Sequence, residues 1–261
     1  MDVKLTIILG ILVMLILIVS FLLVFIINQR KKLEYQQQIQ QMNEEQQNQL
    51  IEAAVRSEEL ERHRIAETLH DEVGAILSSS KLHFTGIKPE LLQEKERKVY
   101  EKGKMLLDEA IQQVRGISHN LHSNILKEFG LNEAIRHFLD KIGRDGLLHA
   151  DTALDPAYTT LNTEKDISIY RMVQELVNNI VKHAAATELQ VSSSIRDNQL
   201  TLSLVHDGKG LSQDLFEKLR FSKEGLGLKN IQNRIILLRG RIHFENRDDN
   251  NRIQILIPLN S

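Results

Sequence analysis

The chain has 261 residues and a mass of 30.0 kDa, room for one ordinary domain together with an anchor and a helical stalk. Its 33 basic and 35 acidic residues leave a net charge of -2, which excludes bulk attraction to a polyanion, so no direct nucleic-acid partner is expected. The absence of cysteine excludes a disulfide framework, thiolate metal sites and thiol redox chemistry, and it suits a reducing compartment.

Leu5 to Ile27 contains no charged residue and is interrupted only by Thr6, Gly10 and Ser20, so as a helix it is long enough to cross a bilayer. The apolar run continues through Phe21 to Ile27 where a cleavable signal would turn to small residues, which favours an anchor. Arg30, Lys31 and Lys32 follow at once, while Lys4 is offset by Asp2. The positive flank predicts a single pass through the cytoplasmic membrane of a bacterium, with residues 1–4 outside and the rest in the cytoplasm. Four residues cannot build an external sensing domain. Residues 28–60, rich in Gln and Glu and free of Pro and Gly, read as a helical stalk, with a solvated linker as the alternative for its first half.

From 61 to 118 the pattern predicts two helices. Leu69, Val73, Ile76, Leu77, Phe84 and Ile87 recur at three- and four-residue steps until Pro89, and Val99, Met105, Leu106, Ala110, Ile111 and Val114 mark a second helix to about Ser118. An antiparallel hairpin leaves half its apolar surface wet, and pairing two copies into a four-helix bundle covers it, so a homodimer is expected. From 119 to 261 the texture is mixed. Helices are predicted at Leu131–Ile142, at about Asn162–Ala185 with Thr163 and Asp166 as the capping pair, and at Leu226–Leu238. Leu189, Val191 and Ile195 alternate toward Leu200, Leu202 and Leu204 across Asp197-Asn198, a hairpin, and Ile242–Glu245 and Ile253–Leu259 add two strands. The fold class is therefore α+β and multidomain: membrane helix, stalk, hairpin, and a C-terminal α/β sandwich with helices on one face of a largely antiparallel sheet.

Four clusters carry chemistry. In Glu67-Thr68-Leu69-His70-Asp71-Glu72-Val73-Gly74, His70 stands one step off the apolar stripe, with Ala66 and Gly74 clearing bulk one turn to either side. If Asp71 or Glu67 accepts a hydrogen bond from one ring nitrogen, the other becomes a better nucleophile. In Glu175-Leu176-Val177-Asn178-Asn179-Ile180-Val181-Lys182-His183, helical offsets put Glu175, Asn179, Lys182 and His183 on one face, and Val177, Ile180 and Val181 on the other. Oxygen ligands beside an ammonium suit hydrated magnesium on nucleotide phosphates. The third cluster, His206-Asp207-Gly208-Lys209-Gly210, follows a strand, and the fourth, Gly225-Leu226-Gly227-Leu228, opens a helix; glycines let backbone amides approach anions. Leu211 to Glu224 between them is expected to be a flexible lid. His119 and His122 lack an evident third ligand and read as surface residues.

Over residues 55 to 259 these motifs, in this order, resemble the sensor histidine kinases whose dimerisation helix carries a His-Asp-x-x-Gly box and whose regulators usually bind DNA. The resemblance implies a dimerisation and phosphotransfer domain followed by a Bergerat-type ATP-binding domain, shared with heat-shock chaperones, gyrase and mismatch-repair ATPases. It implies that His70 is the phosphoacceptor beside the acid Asp71, that Asn179 ligates Mg2+ with Glu175 as helper, and that Lys182 contacts phosphate. It also implies that Asn178, His183, Gly208, Gly210, Gly225, Gly227 and Leu228 line the ATP site. Two positions depart from the family. His206 stands where an aspartate usually accepts from the adenine amino group, leaving a neutral imidazole or Asp207 to do so. Ala75 stands where dephosphorylating members usually have glutamine, so weak or absent phosphatase activity is expected. The rival readings are a catalytically weak pseudokinase scaffold and a structural membrane coiled coil.

Overall fold

In a computed structural model of the chain, residues 3–121, 124–144, 146, 148–160, 162–220, 226–247 and 250–259 are described. The chain divides into two compact units, Met1–Leu50 and Ile51–Ser261. Helix α1, Val3–Thr68, contributes to both. In the first unit it carries the one stretch, among the described residues, long and apolar enough to cross a membrane, and the described side chains of that stretch lie open, as with Phe21 and Leu17.

The second unit begins with a helical hairpin. After α1 the backbone widens into a π-helical turn, Leu69–Val73, before α2, Gly74–Thr85. The uninterrupted helix expected to run on to Pro89 is thus corrected twice, at the π turn and at Thr85. Lys88, preceding Pro89, is driven to an extended conformation (φ -89°, ψ 107°), and Pro89–Leu91 forms a 3-10 turn before α3, Glu94–Leu121. The hairpin is fastened near its tip. Phe84 stacks on Tyr100 with ring centroids 6.0 Å apart, the Tyr100 hydroxyl donates to the Phe84 carbonyl at 3.2 Å, and Lys81 pairs with Asp108 at 2.6 Å. Its outer stripe, including Ile76, Leu82, Val99 and Met105, stays 59–72% exposed.

The remainder is a two-layer sandwich. Its helices are α4, Asn124–Arg144, α5, Thr163–Asn179, α6, Gln213–Leu219, and α7, Leu226–Leu237. Its strands are β1, His149–Ala153, β2, Glu188–Arg196, β3, Gln199–His206, β4, Arg241–Glu245, and β5, Asn251–Pro258. They lie in the order β1-β2-β3-β5-β4, with β1 parallel to β2 and the other pairs antiparallel. The β3–β5 register sets Leu200, Leu202 and Leu204 opposite Ile257, Ile255 and Ile253. Period-two alternation turns all six to one face, where Ile135 and Leu139 of α4, Met172 and Leu176 of α5 and Ile231 and Ile235 of α7 complete the buried core.

Local chemistry explains most boundaries. Asp197 and Asn198 both take positive φ (48° and 60°), the two-residue hairpin turn expected between β2 and β3. Gly130, at φ 82°, breaks α4 in a conformation that penalises any side chain, separating a short first turn from the helix expected at Leu131. The cap of α5 is Asn162, whose side chain accepts from the Lys165 amide at 2.6 Å, and not Thr163. Asp166 is buried instead and accepts from the Tyr158 hydroxyl at 2.6 Å. Strand β1 was not expected, because His149-Ala150-Asp151-Thr152-Ala153 lacks large apolar residues.

Candidate nucleotide and phosphoacceptor sites

His70 sits in the π-helical turn, where the Gly74 amide reaches back to the Leu69 carbonyl. Its side chain is exposed. His70, Asp71, Gly74 and Ala75 face Val114 and Arg115 of α3 across a cavity of about 350 Å³. Asp71 is exposed and makes no hydrogen bond to the ring, and Glu67 is paired with His63 at 3.2 Å rather than with His70. Regular helical spacing led to the expectation that Ala66 clears a landing area beside the ring, and this is corrected. Ala66 is fully buried beneath α3, where the Ser118 hydroxyl donates to its carbonyl at 3.0 Å.

In the second cluster, regular helix ends at Asn179, and a second π turn, Ile180–Ala184, carries Lys182 and His183, both exposed. The four-residue face expected from α-helical offsets therefore holds for Glu175 and Asn179, while Lys182 and His183 project from a wider turn that Ala185 closes in the left-handed region at φ 49°. Val177 and Ile180 are buried and Val181 packs partly against the core, as expected. Asn178 is exposed and shares a cavity of about 160 Å³ with Glu175, Asn230, Arg171, Arg234 and Glu58.

Glycines bring the last three clusters together. A Cβ on Gly208 would lie 2.4 Å from the Ala184 carbonyl oxygen and 2.7 Å from the Ala186 nitrogen, and the Lys209 amide donates to that same carbonyl at 2.7 Å. The third cluster thus rests directly on the π turn of the second. Asn251 donates to the Gly208 carbonyl at 2.6 Å, and its Oδ1 would lie 2.2 Å from a Cβ on Gly210. A Cβ on Gly227 would fall 1.9 Å from Glu175 Oε1, so the fourth cluster lies against the carboxylate of the second. Leu228 is partly buried against the core, and Gly225 lies outside the described residues. Of the expected lid, Gln213–Leu219 is helix α6, with Phe216 fully buried at 4.7 Å from Phe244, so that part is pinned; residues 221–224 lie outside the described set.

At the end of β3, His206 is only 3% exposed and its Nδ1 is buried without a hydrogen-bond partner. Burial pushes the imidazole pKa down, so the ring is neutral at pH 7. Asp207 is already engaged: it accepts from the Thr187 hydroxyl and from the Thr187 and Glu188 amides at 2.8 and 2.9 Å. These bonds, the hydroxyl's foremost, hold its carboxyl down to about 2. Asp207 thereby fastens the start of β2.

Sequence reading missed two buried arginines. Arg171 on α5, 4% exposed, forks onto Glu59 of α1 at 2.7 and 3.0 Å and donates to the carbonyls of Asn120 and Leu121 at the end of α3. Arg234 on α7, 3% exposed, pairs with Glu58 at 3.0 Å. Both stand among apolar core positions of their helices, and that break in an apolar stripe is the signal that marks them. His119 lies 5.6 Å from His137, His122 lies outside the described residues, and among the described residues no group of three or more acidic or histidine side chains could hold a metal.

Residues 61–126 match the family model for histidine kinases, and residues 164–261 match that for the histidine kinase-, DNA gyrase B- and HSP90-like ATPases. The chain belongs to the bacterial two-component sensor histidine kinases. Sensor histidine kinase MctS of Rhizobium johnstonii is 26% identical over 80% of this chain and 45% of the relative. Oxygen sensor histidine kinase NreB of Staphylococcus carnosus is 23% identical over 85% of this chain and 63% of the relative. The chain thus spans roughly half to two thirds of these kinases. Among solved structures, the histidine kinase domain of the Erythrobacter litoralis EL346 blue-light activated kinase aligns with a TM-score of 0.46 at 15% identity, covering 72% of this chain and 94% of that one. The hairpin bearing His70 falls in the first family match and the three glycine-linked clusters in the second.

Proposed function

We propose that the chain is a membrane-anchored histidine kinase that phosphorylates its own His70 from ATP and passes the phosphoryl group to an aspartate of a response regulator, acting on nucleic acid not directly but through a DNA-binding regulator. The observation that carries this reading is the packing of Gly227 against Glu175 and of Gly208 against the Ala184 carbonyl, a cradle that side chains would fill. Backbone amides at such glycines suit a polyphosphate. A neutral imidazole at His206 suits the acceptor role toward an adenine amino group.

The residues fit the mechanism in turn. Asn179 and Glu175, one turn apart, would hold Mg2+, which when bound supplies charge neutralisation on the phosphates. Lys182 stands on the adjoining turn as a phosphate contact. A ring nitrogen of His70 attacks the γ-phosphorus in line, the P–O bond to the β-phosphate breaks, and ADP leaves. The exposed ring and its neighbouring groove suit approach first by the nucleotide domain and then by the regulator. Ala75 offers only a methyl group and no polar atom to orient a hydrolytic water, which supports weak phosphatase activity.

The apolar outer stripe of the hairpin supports a homodimer, and the apolar run of α1 followed by Arg30, Lys31 and Lys32 supports a single pass with the kinase part in the cytoplasm. The test is incorporation of label from γ-labelled ATP by the full chain. Wild type is expected to incorporate label that His70→Gln and Asn179→Ala lose, whereas equal incorporation by Asn179→Ala would sink the reading.

A further inference from the structure

We infer that Ser118 is a positioning residue for the phosphotransfer: its hydroxyl locks the π turn that presents His70. The inference rests on the reading of His70 as phosphoacceptor and adds to it a part played from the second hairpin helix.

Ser118 is 7% exposed and Ala66 is fully buried, so their hydrogen bond of 3.0 Å lies out of water between α1 and α3. The acceptor is a backbone carbonyl, placed four residues before His70. In an uninterrupted α-helix that carbonyl takes the amide of residue 70 itself. A hydroxyl inserted at such a carbonyl competes with the helix's own ladder, and side-chain insertion of this kind is one of the recognised causes of a helix leaving regular geometry. The departure follows at once: residues Leu69–Val73 form the π turn, closed by the Gly74 amide on the Leu69 carbonyl.

The consequence for His70 is one of direction. An extra residue in a turn shifts the face of the following helix by about 100°, since an α-helix advances 3.6 residues per turn. His70 lies at the start of that shift, exposed beside the groove it shares with Arg115, while Ala66, one turn earlier, is pressed beneath α3. Neither Asp71 nor Glu67 bonds to the imidazole, so the direction of the ring depends on the backbone that carries it. Ser118 fixes that backbone without touching the reacting atoms.

The test uses the full chain in lipid nanodiscs and compares wild type, Ser118→Ala and Ser118→Thr. His70 labelling is measured with magnesium ATP and, separately, with phosphoramidate, a small donor that needs no nucleotide domain; nucleotide affinity is measured alongside. Ser118→Ala is expected to slow labelling from magnesium ATP roughly tenfold to a hundredfold, the scale of a misplaced reactive group, while labelling by phosphoramidate, which approaches the exposed ring from any side, and nucleotide affinity stay unchanged. Ser118→Thr, which keeps a hydroxyl, is expected to recover most of the rate. Labelling from magnesium ATP that Ser118→Ala leaves untouched overturns this inference alone, and so does a loss matched by an equal loss of nucleotide affinity or of phosphoramidate labelling, which marks general disruption. Absence of label on His70 in wild type overturns both this inference and the function it rests on.

Discussion

Gly227 and Gly208 both forbid a Cβ, but what stands in the way differs. At Gly227 the obstacle is the far end of the flexible Glu175 side chain, which can swing aside. Gly227→Ala is therefore expected to cost less than about 1.5 kcal/mol of stability while lowering nucleotide affinity at least roughly tenfold, because the carboxylate leaves its place. At Gly208 the obstacles are backbone atoms of Ala184 and Ala186, which cannot give without moving the π turn. Gly208→Ala is expected to cost about 1–3 kcal/mol. Denaturant unfolding and titration with a fluorescent ATP analogue separate the two. His206 and Asp207 make the pH dependence. Burial lowers the His206 pKa, so its contribution is present above about pH 6.5, the model-compound range, and is lost as pH falls through the lower folded value. Asp207, lowered from 3.8 to about 2, contributes above about pH 4 and loses that contribution as pH falls toward 2. Thermal midpoints measured against pH should lose their first decline in His206→Asn and their second in Asp207→Asn. That these glycines belong to one cluster of close approaches was suggested by the sequence, where they follow a strand and open a helix. Their partners were not: nothing in the local pattern says that Asp207 bonds Thr187 or that Gly227 meets Glu175, because both contacts join segments far apart in the chain.

At the scale of elements, the Arg171 fork ties three helices at once. It pairs with Glu59 of α1, donates to the side-chain oxygen of Gln174 on its own helix at 2.8 Å, and donates to two carbonyls at the C-terminal end of α3, where a cation also complements the helix dipole. Glu59 keeps some access to water, so its loss of partner is softened. Arg171→Ala is expected to destabilise the chain by about 2–4 kcal/mol, and Arg171→Lys to recover little, since an ammonium cannot reproduce the planar fork. A shift of the denaturant midpoint at constant slope checks this. Elements with a strong period were readable in advance: the β2–β3 hairpin with its Asp197-Asn198 turn, α5 and α7, and strands β4 and β5. The two π turns were not, because a π turn uses the same helix-forming residues as an α turn and is imposed by contacts such as that of Ser118 with Ala66. Helix α6 was hidden for a different reason. Its burial rests on Phe216 alone, too little apolar pattern to announce a helix of seven residues.

At the scale of the whole molecule, the chain combines an apolar helix, a hairpin with one uncovered stripe and a sandwich whose helices cover one face of a five-stranded sheet. Each part leaves one surface unsatisfied by itself, and each such surface has a task in the proposed function: lipid for the first, a second copy for the second, nucleotide for the third. The account turns on where the phosphoryl group goes. The most direct measurement is mass-spectrometric localisation of phosphate on the full chain after exposure to magnesium ATP, under neutral conditions that preserve a phosphoramidate bond. The account predicts a single acid-labile, base-stable phosphate on the imidazole of His70. Phosphate found on another side chain, or retained in His70→Gln, would contradict it.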